Sequence, residues 1–227
     1  MQDRRIHSRR RLLEGSLALG LGFGLGFGLG LGLAAATPLA AAAAVPTPRQ
    51  TPGPFYPQRL PEDIDADLTR VEGRAQPAAG NVVEVFGRVT DEAGRPLADA
   101  RVEIWQCDAF GFYHHPRDRG GQADPNFQGY GRMLLGEEGH YRFRTIRPVA
   151  YPGRTPHIHF AVSGPGVSRL TTQMYLAGHP LNARDFLYNA ISDPAARDSV
   201  TVAFAAAGSG PPEGRFDIVL GRSLLPG

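Results

Sequence analysis

Cysteine is almost missing from the 227 residues: Cys107 is the only one. One thiol excludes an intrachain disulfide, and it excludes a zinc or iron–sulfur site built from cysteines of one chain. Lysine is missing altogether, so all 24 basic side chains are arginine. The formal net charge of +2 comes from the first 44 residues, where Arg4, Arg5, Arg9, Arg10 and Arg11 face only Asp3 and Glu14. The rest is near neutral and offers no electrostatic footprint for nucleic acid or anionic lipid. Long amphipathic helical patterns are lacking too; Ala183–Ala190 supports one or two turns at most. No internal repeat is present.

What the chain does have is 42% hydrophobic residues, 29 glycines and 20 prolines. That composition suits a folded body of short strands and tight turns. The N-terminus reads as an address. Residues 1–11 are basic, Leu17 to Leu33 are uncharged and glycine-rich, and small residues run to Ala44. This is a signal-peptide pattern, with Ala42-x-Ala44 as one candidate cleavage site. Ser8-Arg9-Arg10-Arg11-Leu12-Leu13 resembles a twin-arginine (Tat) signal, so export to the periplasm or beyond is expected. The glycines weaken the alternative of an uncleaved anchor, and no stable membrane insertion is expected after cleavage.

Residues 1–44 are thus the expected signal, 45–80 an extended arm and 81–227 the folded body. In the arm, Thr51-Pro52-Gly53-Pro54-Phe55-Tyr56-Pro57 is stiffened by its prolines and cannot be helical. From Val82 the pattern alternates. Strands are expected at Val82–Val89, Ala100–Trp105, His140–Ile146, His157–Val162, Leu170–Tyr175 and Arg215–Leu220. The fold class is all-β: an antiparallel β-sandwich with long loops and an extended N-terminal arm.

The chemistry centres on His157-x-His159. On a strand, residues i and i+2 share a face, so both imidazoles can reach one metal. Alone, this spacing equally describes two histidines on a solvated face. Tyr151 lies just upstream in a loop containing Pro148, Pro152 and Pro156, and Tyr113 closes the segment Trp105–Tyr113. A phenolate is a hard anionic donor that favours ferric iron over softer divalent ions.

Five blocks then appear in order: Trp105-Gln106-x-Asp108-x-x-Gly111-x-Tyr113, Phe127-Gln128-Gly129-Tyr130-Gly131-Arg132, Tyr141-Arg142-Phe143-Arg144-Thr145-Ile146-Arg147-Pro148, Tyr151-Pro152 and His157-Ile158-His159-Phe160. Together they resemble the intradiol ring-cleavage dioxygenases, in particular the protocatechuate 3,4-dioxygenase branch, over about residues 50–190. The resemblance implies a non-haem Fe(III) enzyme that cleaves a catechol with O2 between its hydroxylated carbons, giving a cis,cis-muconate-type diacid. It implies Tyr113, Tyr151, His157 and His159 as iron ligands, with Tyr151 the one that leaves when substrate binds. Arg154 matches a cation beside the reacting ring, and Gln173 a polar group behind it. Gly53 and Pro54 match an arm lining the substrate pocket. The same branch suggests a homo- or hetero-oligomer. One departure stands out: the loop from Tyr151 to His157 is short, and Gly153 stands where close relatives carry tryptophan.

Two rival readings remain. Gly87–Leu97 also resembles the opening of transthyretin-like binding modules, which would make this an exported, non-enzymatic domain. Alternatively, another metal uses the same histidines with a carboxylate, for which Asp108 and Asp124 are the candidates. His114, His115, His140 and His179 are expected at the surface, and Trp105 in the core beneath the metal loop.

Overall fold

The computed structural model describes residues 44–225. The expected signal segment, apart from Ala44, lies outside the described residues. Ten strands run in chain order: β1 (Val82–Asp91), β2 (Arg101–Trp105), β3 (Tyr130–Leu134), β4 (His140–Ile146), β5 (His157–Gly164), β6 (Val167–Leu176), β7 (Thr201–Val202), β8 (Phe204–Ala205), β9 (Glu213–Arg215) and β10 (Ile218–Leu220). Between β6 and β7 come a 3-10 turn (Pro180–Arg184) and two short helices, α1 (Phe186–Asn189) and α2 (Pro194–Ser199).

The strands form two sheets. In one, β4 pairs with one edge of β1, while β9 and β10 share the other edge and β8 joins β9. The other runs β3-β2-β5-β6-β7. The all-β sandwich expected from the sequence is present, though its sheets are mixed. The β1–β9, β1–β10 and β6–β7 ladders are parallel. All three involve strands from the last quarter of the chain, which return by long connections such as that carrying α1 and α2. A parallel pair requires such a crossover, whereas a hairpin can only give an antiparallel one. Strand β3 escapes the sequence pattern because Gly131 interrupts its alternation. A Cβ at Gly131 would come to 2.5 Å from a Leu68 methyl carbon and 2.9 Å from the Asp65 backbone O, so only glycine fits there.

β1 shows why the alternation works: Val83, Val85, Gly87 and Val89 are buried while Glu84, Phe86 and Arg88 between them are half-exposed. β5 differs, being buried on both faces from His157 to Val162. Ile158, Phe160 and Val162 point into the sandwich with Val102, Ile104 and Phe143. On the outer face, Ala161 joins Trp105, Cys107, Tyr113 and Tyr130 in a second cluster. That face is dry because the arm covers it with Phe55, Tyr56 and Ile64.

The arm has no strands of its own but is pinned along its length. Thr47 N donates to Val219 O, Gln50 N to Thr171 O and Leu68 N to Arg144 O, while Arg132 N donates to Asp65 O. Leu68 is fully buried and part of the sandwich core. Burying a leucine contributes about 1.5–3 kcal/mol, so the arm is held by packing as well as by hydrogen bonds.

Candidate active site

A row of four paired positions crosses the outer face of the second sheet. Tyr130 pairs with Trp105, Trp105 with His159, and His159 with Gln173. Register alone therefore sets the Trp105 indole flat on the His159 ring, 4.8 Å between centroids at 5°. His157, two residues before His159, takes the same face beside Tyr175. The two imidazoles present their Nε2 atoms to each other at 3.2 Å. Two nitrogens bound to one metal at about 2.0–2.1 Å and at right angles also stand about 3 Å apart. His157 Nδ1–H donates to Thr155 O at 2.7 Å, which leaves the Nε2 lone pair directed at the site.

Two loops bring the tyrosines. Tyr151-Pro152-Gly153-Arg154 is a tight turn in which Arg154 N donates to Tyr151 O at 2.9 Å. Proline in second place and glycine at φ 82° in third are the chemistry of a type II turn. The turn sets Tyr151 and Arg154 side by side, and Arg154 Nη1 lies 3.4 Å from both Tyr151 Oη and His157 Nε2. Tyr113 arrives on a loop organised by Asp108. One carboxylate oxygen accepts from Phe110 N and Phe112 N, and the other from Asp124 N at 2.7 Å. Asp124 likewise accepts from Ala79 N and Asn126 N. These acids shape the loops, with their carboxylate oxygens taken up by backbone N–H groups. Among the described residues no three or more His, Cys, Asp or Glu assemble into a metal cage. Cys107 donates to Val149 O, and burial pushes its thiol up to about 12.

The converging donors are thus two imidazoles and two phenols. The Tyr113 ring centroid lies 5.6 Å from that of Tyr151 and 6.4 Å from that of His159, and Tyr151 lies 5.5 Å from His157. Tyr113 Oη is buried and has no hydrogen-bond partner. Burial, reinforced by the neighbouring Tyr151, raises its pKa well above the ordinary phenol value. A phenol so placed ionises only beside a strong cation. The donor set fits a hard, highly charged ion such as ferric iron.

Arg154 is held at two further points. Its Nε donates to Asp185 at 2.8 Å and its Nη2 to Gln173 Oε1 at 2.5 Å. Gln173, fully buried, also donates to Thr51 O of the arm. Gly53 sits over His159 at φ 69°, and a Cβ there would touch the ring at 3.4 Å. The strain at that φ, more than the space, demands glycine. Pro54, next to it, is exposed. Phe55 was not singled out from the sequence, yet it stacks on Tyr113 at 4.7 Å and meets Tyr151 edge-on at 6.2 Å. It also covers His115, which is buried at 7% exposure and not at the surface as expected. Asp185 was missed as well; its signal was an Asp opening Asp185-Phe186-Leu187-Tyr188, an N-cap pattern.

Both histidines are held neutral. Burial, with the Arg154 charge beside it, lowers His157 to about 3, and burial also holds His159 well below its ordinary value. Their unfolded counterparts titrate near about 6.5. The unfolded chain therefore binds protons first, so stability is full above about pH 6.5 and falls as the pH drops from there toward 3. The limiting slope is about 1.4 kcal/mol per pH unit for each histidine. Metal-free protein is expected to melt about 5–15 °C lower at pH 5 than at pH 7.5. An equal melting temperature at both values would contradict two buried neutral imidazoles.

Comparison with known proteins identifies the family. The dioxygenase family model Dioxygenase_C matches residues 51–222. The chain is 42% identical over 178 residues to the protocatechuate 3,4-dioxygenase beta chain of Burkholderia cepacia, covering 72% of this chain and 74% of that one. It is 32% identical over 180 residues to catechol 1,2-dioxygenase of Candida albicans, covering 67% of this chain and 52% of the relative. The chain spans only about half the length of such catechol dioxygenases. Among solved structures, it superposes on the dioxygenase domain of a carbohydrate-binding fusion protein from Streptomyces sp. SirexAA-E. There the TM-score is 0.59 and identity 33%, over 78% of this chain and 98% of that one. The non-enzymatic binding-module reading gives way to these matches: the chain belongs to the intradiol ring-cleavage dioxygenase family of enzymes.

Proposed function

We propose that the protein is a non-haem Fe(III) enzyme that opens a catechol-type ring between its two hydroxylated carbons with O2, giving a cis,cis-muconate-type diacid. Tyr113, Tyr151, His157 and His159 would hold the iron. The observation that carries this is the pair of Nε2 atoms 3.2 Å apart, with the buried Tyr113 phenol, which has no hydrogen-bond partner, 6.4 Å from His159 between ring centroids. Bound there, ferric iron would supply Lewis acidity toward the ring oxygens. The remaining tasks fall to the chain. Tyr151 is half-buried and its Oη lies beside Arg154, so as a phenolate it would be the group placed to take a catechol proton and leave as a neutral phenol. Arg154 offers a fixed positive charge where negative charge develops. Gln173 and Asp185 keep it still. Gly53 and Phe55 close the outer side against water.

The test is iron loading followed by oxygen uptake on catechol, protocatechuate and hydroxyquinol. The loaded protein is expected to be red-brown from tyrosinate-to-Fe(III) charge transfer and to consume O2 with at least one of the three. A colourless loaded preparation would sink the proposal. Because Thr51–Tyr56 of the same chain covers the donors, we take one chain type to suffice, alone or as a homo-oligomer. Export by the Tat route is proposed from residues 1–44; fractionation of the native host decides it, and a cytoplasmic mature protein would refute it.

A further inference from the structure

We infer that Asp185 is a positioning residue for Arg154, and that Phe186 covers the same guanidinium from the solvent side. The inference rests on Arg154 acting as the cation beside the reacting ring. Asp185 is buried, at 1% exposure, and caps helix α1. Its two oxygens serve different elements. Oδ1 accepts from Leu187 N and Tyr188 N, both at 3.0 Å. Oδ2 accepts from Arg154 Nε at 2.8 Å and from Thr155 N at 2.9 Å. One carboxylate therefore ties the α1 segment to the turn that carries Tyr151 and Arg154.

The consequence for Arg154 is geometric. A guanidinium is planar, so fixing two of its edges fixes the third. Asp185 takes Nε and Gln173 takes Nη2. What remains is Nη1, 3.4 Å from Tyr151 Oη and His157 Nε2. Asp185 thus aims Arg154 at the site without touching the site itself. Phe186 is 66% exposed, with Arg154 Cζ 5.8 Å from its ring centroid. A large aromatic left in solvent at this point shields an otherwise nearly buried cation from water.

The experiment uses the full iron-loaded enzyme. Asp185→Asn keeps the size and one acceptor of the cap while removing the anion. It is expected to lower kcat about 10–100-fold, with KM changed less than about 3-fold and the visible iron band unmoved. In an Arg154→Ala background the same substitution is expected to cost no further kcat, because the two residues act as one unit. Asp185→Asn with wild-type kcat, or an equal loss in both backgrounds, overturns the inference. If Arg154→Ala alone keeps wild-type activity, the reading of Arg154 fails and takes this inference with it. Should Asp185→Asn not fold, the exposed Phe186 carries the test. Phe186→Ala is expected to lower kcat about 5-fold and Phe186→Tyr to restore it; an unchanged kcat in Phe186→Ala then overturns the inference.

Discussion

Tyr113→Phe is expected to leave the metal-free protein as stable as the parent or more so, while shifting the tyrosinate band and weakening iron binding more than about 100-fold. The two halves have one cause. Tyr113 Oη is buried with no hydrogen-bond partner, and an unsatisfied buried hydroxyl costs about 1–3 kcal/mol. Phenylalanine keeps the stack on Phe55 and the edge contact with Tyr151. Removing only the oxygen should therefore raise the melting temperature of the metal-free chain by roughly 2–4 °C, about 1 kcal/mol. Function should move the other way because the proposed site makes this oxygen an iron donor; even an outer partner of a ligand is worth about 10–100-fold in metal affinity. Thermal melting of metal-free protein and iron titration by absorbance check the two halves. An unmoved band together with lost stability would mean that Tyr113 is an ordinary core tyrosine.

Arg154→Ala is expected to lower kcat about 10²–10³-fold, the usual size of losing one preorganised charge donor. It should also cost about 3–5 kcal/mol of stability, because Asp185 is left buried without its ion partner. The pH dependence separates these effects. In the parent, burial opposes ionisation of Asp185, but Arg154 and the helix N–H groups outweigh it and hold the carboxyl below its ordinary value. That contribution is complete above about pH 3.9 and is lost as the pH falls through the lower folded value. Without Arg154 the same burial should push Asp185 upward, so the variant's stability deficit should shrink as pH is lowered toward 4. Denaturation by urea at pH 7.5 and pH 4.5 measures this. A deficit independent of pH would place the lost stability in packing instead of in the unpaired carboxylate. Adding Asp185→Asn to Arg154→Ala should recover stability but not turnover.

Much of the fold was legible because it is local. The alternation of Val83, Val85 and Val89 marks β1, and that of His157 and His159 marks one face of β5. Strand β3 was not legible, since Gly131 answers to Leu68, a residue of the arm 63 positions away. The two-residue strands β7 and β8 carry no periodicity at all. The arm was legible as extended but not as part of the core, because a single buried leucine among polar neighbours has no pattern.

The site divides in the same way. The sequence by itself determined the donor types and the pairing of His157 with His159, because a two-residue step on a strand fixes a shared face whatever the rest of the chain does. It also held the Pro152-Gly153 turn that couples Tyr151 to Arg154. Only the tertiary structure decided that Tyr113 meets these groups, that Phe55 closes over them, that Trp105 stacks on His159, and that Asp185 and Gln173 aim Arg154. Those contacts depend on sheet register and on loops packed across long sequence distances, and no periodicity within a segment records which distant residue it will meet.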